Sequence, residues 1–480
     1  MDSLSQTASD SSLAETAAAS PADLQPALDP PFTHHELPTA ATANGKPSFL
    51  SRALSCVSSW YWPANAHQAH AAEQALLSLI PPSPLYRTRS GFIDVAADSG
   101  PNANHQHALI NTLIIEPTTP PANPQPPIVF LHGYGAGLAL WYRTLPEIAA
   151  QLIPHGSTLY AIDWLGMARS GRVPFPIGSS LPPTSPETST ASHDPKRPHG
   201  VAEAEDYFLS SLDRWRARIT AAASGSPDAD GKVILVGHSL GGYLAANYAL
   251  RHPDKVAQLI LVSPVGVPAR PAENPSVARP LPAHWAAIRS AAHKLWAGGY
   301  TPFSVMRGVG PLGPSLMGWY TSRRFAATIT DEKEQGLVRD YLFHANNAGM
   351  AAGEYALGAL LDFGAWARDP LAPRLKGLWS GLEKVKTRFV YGTVDWMNWE
   401  HAGRVLVGEK VGQDAASVHL VEGAGHQVFL DNPSGFADVV VDCVKNAREP
   451  TVSRVEVEQM VQVLAASSTG SEESVRRNVR

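Results

Sequence analysis

Three side chains of the types needed for nucleophilic catalysis follow short apolar runs in this 480-residue chain: Ser239 after Lys232–Val236, Asp395 after Arg388–Tyr391, and His426 after Val418–Val421. A serine hydroxyl is a poor nucleophile at neutral pH and needs an imidazole to accept its proton during attack. The imidazole needs a carboxylate to fix its tautomer and orientation, a role whose loss costs about 10⁴-fold in the best-studied triad. The chain order Ser, Asp, His is one of three arrangements in common use among serine hydrolases. Ser239 sits in Gly237-His-Ser-Leu-Gly241, where the flanking glycines permit a tight strand-to-helix turn that lifts the hydroxyl into open space. The developing oxyanion would be held by the backbone N–H of Leu240 and by one from His132-Gly-Tyr-Gly, that of Tyr134. Losing one such donor typically costs about 10²- to 10³-fold.

These residues need a sheet to bring them together. Eight short runs, several rich in β-branched residues and bounded by turn residues, read as strands: Gly91–Ala97, Ala108–Ile115, Ile128–Leu131, Thr158–Ile162, Lys232–Val236, Gln258–Val262, Arg388–Tyr391 and Val418–Val421. Helical patterns such as Ala204–Ala223 and Gly241–Arg251 alternate with them from the third onward, which predicts an α/β chain with a largely parallel sheet and helices on both faces. Ligands in such sheets bind beyond the carboxyl ends of the strands, where Ser239, Asp395 and His426 all fall. Competing uses exist for neighbouring residues. His132 and His238 read as hydrogen-bonded scaffolding, and Gly241 and Gly242 let the following helix approach the sheet. Of the rival acids, Asp163 precedes the nucleophile and Asp362 lies in a helical pattern.

Composition narrows the function class. A net charge of -5 supplies no broad positive field, so no nucleic-acid partner is expected. The two cysteines, Cys56 and Cys443, lack any metal or disulfide spacing, so no metal site is expected. Residues 1–47 read as an acidic, Ser/Ala/Pro-rich disordered leader, and 48–90 as an aromatic-rich N-terminal segment. Residues 91–265 and 387–447 form the two parts of the catalytic core, the first interrupted by a loose insertion at 174–200 that holds seven prolines. Residues 266–386 are too long for a simple connection and read as a helical lid above the strand ends, and 448–480 as a tail. No run is long enough to span a bilayer.

Beyond the triad, Arg307-Gly-Val-Gly-Pro-Leu-Gly-Pro, Gly364-Ala-Trp-Ala-Arg, Tyr391-Gly-Thr-Val-Asp-Trp-Met-Asn and Gly425-His-Gln-Val-Phe-Leu-Asp-Asn-Pro carry a family resemblance. Over roughly residues 48–447, outside the 174–200 insertion, the chain resembles the phospholipase and lysophospholipid-acyltransferase branch of the α/β-hydrolases. That branch includes N-acyl phosphatidylethanolamine lipases, a lipid-droplet lipase coactivator, plant lysophosphatidate acyltransferases and a fungal cardiolipin-specific deacylase. The resemblance implies an α/β-hydrolase fold, with an eight-stranded, mostly parallel sheet and a helical lid insertion. The coactivator lacks a serine at the nucleophile position, so Ser239 favours an active serine hydrolase. The His-x₄-Asp spacing of His426 and Asp431, shared with glycerolipid acyltransferases, implies an alternative CoA-dependent acyl transfer with acyl-CoA as co-substrate; otherwise no cofactor is expected. From the residues themselves, Asp431-Asn432-Pro433 reads as a helix start with Asp431 as its capping side chain. A catalytically weak coactivator or lipid-binding module is the alternative of another class.

A phospholipid or lysophospholipid is therefore the expected substrate, with cardiolipin and N-acyl phosphatidylethanolamine as concrete candidates. Trp285, Trp296, Trp319, Trp366 and Trp379 in the lid would suit a long acyl chain, and Arg307, Arg323 and Arg324 could meet a phosphate. Phe49–Pro63 concentrates interfacial aromatics, and Trp60, Tyr61 and Trp62 are expected to contact a membrane or lipid-droplet surface peripherally. The expected location is intracellular, at the mitochondrion, with the lipid droplet or endoplasmic reticulum as alternatives.

Overall fold

The computed structural model describes residues 66–96, 108–175, 200–224, 231–271, 282–309, 312–325, 328–347 and 352–446, with Val452, Glu458 and Gln459. The leader, the Phe49–Pro63 segment with Trp60, Tyr61 and Trp62, and most of the 174–200 insertion lie outside the described residues.

Strands β1 (Tyr86–Asp94), β2 (Leu109–Pro117), β3 (Ile128–Leu131), β4 (Leu159–Ile162), β5 (Val233–His238) and β6 (Val256–Val262) precede a small hairpin of β7 (Leu361–Asp362) and β8 (Trp366–Ala367). Strands β9 (Lys386–Gly392) and β10 (Ala416–Val421) follow. All but the hairpin form one eight-stranded sheet in the order β1-β2-β4-β3-β5-β6-β9-β10. β2 is antiparallel to both neighbours, and every pairing from β4 through β10 is parallel. Each of the eight expected strands is thus present. β1 begins earlier than its apolar run because Arg87 and Thr88 are exposed and Arg89 and Ser90 half-buried at the sheet edge, leaving no apolar signal to read.

The helices are α1 (Ala66–Leu77), α2 (Leu145–Leu152), α3 (Val201–Ser224), α4 (Leu240–Arg251), α5 (Ala283–Ala297), α6 (Pro302–Gly308), α7 (Gly313–Phe325), α8 (Glu332–Asn347), α9 (Gly353–Leu360), α10 (Gly377–Ser380), α11 (Glu400–Gly408), α12 (Val428–Asp431) and α13 (Pro433–Lys445). Alternation along the strands builds two cores. In β3, Val129 and Leu131 join Phe208, Trp215, Tyr243 and Tyr248 of α3 and α4 on one face. Ile128 and Phe130 join Trp141, Ile148, Phe436 and Val440 on the other. Central strands buried on both sides must read as unbroken apolar runs, which is why they were visible in the sequence.

Helix α1 is fixed by a buried polar contact. Glu73 pairs with Arg169 and accepts Nδ2 of Asn111 at 2.8 Å, while the same Nδ2 reaches Asp163 Oδ2 at 2.7 Å. Burial raises the Glu73 carboxyl to about 7 despite the guanidinium beside it.

Between β6 and β9 the described residues form α5 to α10 and the β7–β8 hairpin. Asp362 lies in β7, half exposed and 3.1 Å from Arg368, which corrects the helical reading of that position. Trp379 is also not a lid residue: it is buried in the core and donates Nε1 to Thr387 Oγ1 at 3.1 Å.

Candidate active site

Strand β5 ends at His238, and the next residue adopts a backbone that side chains rarely take: Ser239 has φ 53° and ψ -115°. Such a conformation costs of order 1–3 kcal/mol and persists only where surrounding structure enforces it. The enforcement is visible on both sides of the turn. Ser239 N–H donates to Val262 O at 3.0 Å, and Ser239 O accepts from Tyr243 N at 3.1 Å and from Val265 N at 3.2 Å. Gly237 and Gly241 face each other across it, since a Cβ on Gly237 would stand 2.6 Å from Gly241 O. A Cβ on Gly241 would lie 2.4 Å from Leu131 O. Neither position can carry a side chain, so α4 starts directly beneath the hydroxyl.

Asp395 and His426 come from the turns after β9 and β10, which are knitted together. Val394 N–H donates to Ala424 O at 3.0 Å, Gly423 N–H to Thr393 Oγ1 at 2.9 Å, and a Cβ on Gly392 would reach within 2.0 Å of Ala424 O. Parallel pairing of β9 and β10 therefore delivers Asp395 and His426 to the same corner. His426 Nε2 lies 3.2 Å from Ser239 Oγ across 187 residues of sequence. Nδ1 of the same ring is 3.3 Å from Asp395 Oδ1, whose side chain is fully buried. The angle of that approach leaves His426 Nδ1 and Asp395 Oδ2 without a hydrogen bond among the described residues, while Asp395 Oδ1 accepts from Met397 N at 2.9 Å. Such contacts are commonly long before substrate binds.

Leu240 and Tyr134 flank the serine. Among the described residues neither backbone N–H donates to a protein group, as an oxyanion site requires. The Tyr134 side chain turns away into the lid, its ring 5.3 Å from that of Phe303 in α6. Burial, then the Glu354 carboxylate, pushes its hydroxyl well above the usual range, so the phenol stays protonated and the backbone is the part of Tyr134 offered to the site.

Two residues read as scaffolding hold this geometry. Buried His132 contacts Gly133 O through Nδ1 at 2.7 Å and accepts Trp164 N–H through Nε2 at 3.2 Å, and burial holds its pKa below the usual range. His238 lies beneath the base, with Nε2 donating to His426 O at 2.9 Å and the ring 5.0 Å from Phe429. Burial, then the neighbouring His426, holds His238 well below the ordinary histidine value, so it is neutral.

Asp431 does not cap the next helix. Asn432 does, accepting Gly435 N–H at 3.0 Å. The Asp431 carboxylate turns back, takes Gly425 N–H at 3.0 Å and pairs with Arg324 of α7 at 3.3 Å. It thereby ties the residue before His426 to the lid. Nothing in the local sequence marks this, because Asp and Asn are equally good caps and only the loop's return decides between them. Arg307 likewise is engaged by Glu354, and Arg323 lies over the exposed Trp319 ring at 5.2 Å. Trp396, next to the acid, is 63% exposed with its ring 5.0 Å from that of His426, a wall the spacing argument did not identify.

A family model described as alpha/beta hydrolase fold matches residues 126–433. A probable 1-acylglycerol-3-phosphate O-acyltransferase of Oryza sativa subsp. japonica is 31% identical over 393 residues, covering 79% of this chain and 81% of that protein. A (Lyso)-N-acylphosphatidylethanolamine lipase of Homo sapiens is 32% identical over 326 residues, covering 67% of this chain and 80% of its own length.

Proposed function

The chain belongs to the α/β-hydrolase fold family, and on that footing we propose that it is a serine-dependent acyl hydrolase of glycerophospholipids. The observation that carries the reading is the 3.2 Å approach of His426 Nε2 to Ser239 Oγ at a strained turn beside two undonated N–H groups. The names of the relatives, a lipase of N-acylated phospholipid and a lysophosphatidate acyltransferase, support a lipid acyl ester or amide as substrate.

In this account Ser239 Oγ attacks the acyl carbonyl as His426 Nε2 takes the hydroxyl proton. Negative charge on the carbonyl oxygen is met by the N–H groups of Leu240 and Tyr134. Collapse breaks the bond to the leaving group, which receives the proton from His426, and leaves an acyl ester on Ser239. Water then attacks that ester, His426 takes its proton, and the fatty acid departs as Ser239 is re-protonated. Asp395 orients the imidazole and stabilises its charged form throughout.

A second reading is favoured by the acyltransferase relative: a lysophospholipid hydroxyl, in place of water, resolves the acyl-enzyme. Incubating the protein with a panel holding phosphatidylethanolamine, N-acyl phosphatidylethanolamine, cardiolipin and lysophosphatidic acid with acyl-CoA separates the two by mass spectrometry. Free fatty acid with matching lysolipid supports hydrolysis; phosphatidic acid formed from acyl-CoA supports transfer. Neither product above the Ser239→Ala background would remove the enzymatic reading and leave the lipid-binding module.

A further inference from the structure

Helix α7 carries apolar residues on the side facing away from the protein. Leu312, just before it, and Leu316, Trp319 and Tyr320 recur at i, i+4, i+7 and i+8 and are all exposed. Gly313, Met317, Thr321 and Phe325 on the opposite side are buried. A helix bathed in water shows the reverse, with its polar residues outward. Leu312 and Trp319 are 67% and 59% exposed, with Tyr320 and Leu316 partly covered at 46% and 39%. Arg323 falls on the same stripe, with its guanidinium over Trp319.

Helix α5 is exposed along its length, without the buried opposite side that α7 has. Trp296, near its C-terminal end, packs against the core, but Trp285, eleven residues earlier and so on the same side, is 55% exposed, as is Ile288 at 56%.

Charge identifies what this face meets. Residues 282–325 hold five cations (Arg289, Lys294, Arg307, Arg323, Arg324) and no Asp or Glu, within a chain of net charge -5. Among the described residues Arg289, Lys294 and Arg323 are exposed and in no ion pair. Indole, phenol and aliphatic groups interleaved with cations suit the boundary of a bilayer bearing anionic headgroups. Any surface representative of the whole chain would be repelled by such a bilayer. The inner side of α7 also reaches the catalytic loop, through Arg324 and Asp431 to Gly425 N–H, so a bilayer under α7 lies next to His426.

We propose that the exposed faces of α5 and α7 dock the protein on a bilayer containing anionic phospholipid. The proposal deepens the lipid-hydrolase reading and rests on it for its purpose, but its measurement needs no turnover. Flotation of the full chain is compared on vesicles of phosphatidylcholine alone and of phosphatidylcholine mixed with phosphatidylserine. The wild type partitions more strongly to the mixed vesicles. Arg289→Glu, on the Trp285 side of α5, lowers that preference by about five-fold, and Leu316→Ser with Trp319→Ser lowers flotation on both. Circular dichroism spectra of both variants matching that of the wild type verify that they are folded. Equal flotation of wild type and both variants, or equal wild-type binding to the two vesicle types, overturns the docking face. Ser239→Ala floats as the wild type does; if the chain floats as described yet releases no fatty acid, the hydrolase reading fails and the docking face stands.

Discussion

His238 Nε2 donates to the backbone carbonyl of His426 at 2.9 Å, so the residue before Ser239 holds the peptide of His426. One strand-end turn thereby fixes both Ser239 and His426, with His238 beneath them.

The first prediction follows from that bond. His238→Ala lowers kcat about 10-fold with KM little changed, the scale of one lost positioning hydrogen bond, and His238→Gln, which can still donate, recovers part of it. A pH signature accompanies this. Folded His238 is neutral because its pKa lies well below 6.5, whereas in the unfolded chain it takes a proton near that value. The unfolded state binds more protons as pH falls, so this group's contribution to stability is full above 6.5 and is lost on acidification. Denaturant unfolding above and below that pH should show a smaller acid loss in His238→Gln than in the wild type.

Asp431 gives the second. Removing its carboxylate leaves Gly425 N–H and Arg324 without a partner, so Asp431→Ala should lower kcat about 10-fold. Asp431→Asn should recover part of it, because an amide oxygen still accepts the N–H. Hydrolysis and any acyl transfer should fall in the same proportion when both products are quantified. A selective loss of transfer would instead tie His-x₄-Asp to the acyl acceptor.

Gly241 gives the third. A methyl there would meet Leu131 O at 2.4 Å and His132 O at 2.6 Å, both backbone atoms that cannot step aside. Gly241→Ala should destabilise the fold by about 3 kcal/mol, read as a lower midpoint in urea with an unchanged slope.

These particulars show how far the sequence could be read. Central strands such as Ile128–Leu131 are buried on both faces and announce themselves as apolar runs, and Ser239, Asp395 and His426 follow such runs. What could not be read depended on partners distant in sequence. Helix α1 has a weak apolar pattern and is fixed by Glu73 reaching Arg169, a pairing with no local signal. Asp362 sits in a two-residue strand too short to interrupt a helical pattern. Asp431 looks like a cap until the return of the Gly425 loop is known. The outward apolar face of α7 has an ordinary helical period, and only its exposure in the fold tells it from a core face.

The central claim is that Ser239 is made nucleophilic by His426, and covalent capture tests it most directly. The folded wild type is treated with a fluorophosphonate and the adduct is located by peptide mass spectrometry. The account predicts one adduct, on Ser239, lost in Ser239→Ala and strongly slowed in His426→Ala. A folded wild type that stays unlabelled, or one labelled elsewhere with Ser239 untouched, would contradict it.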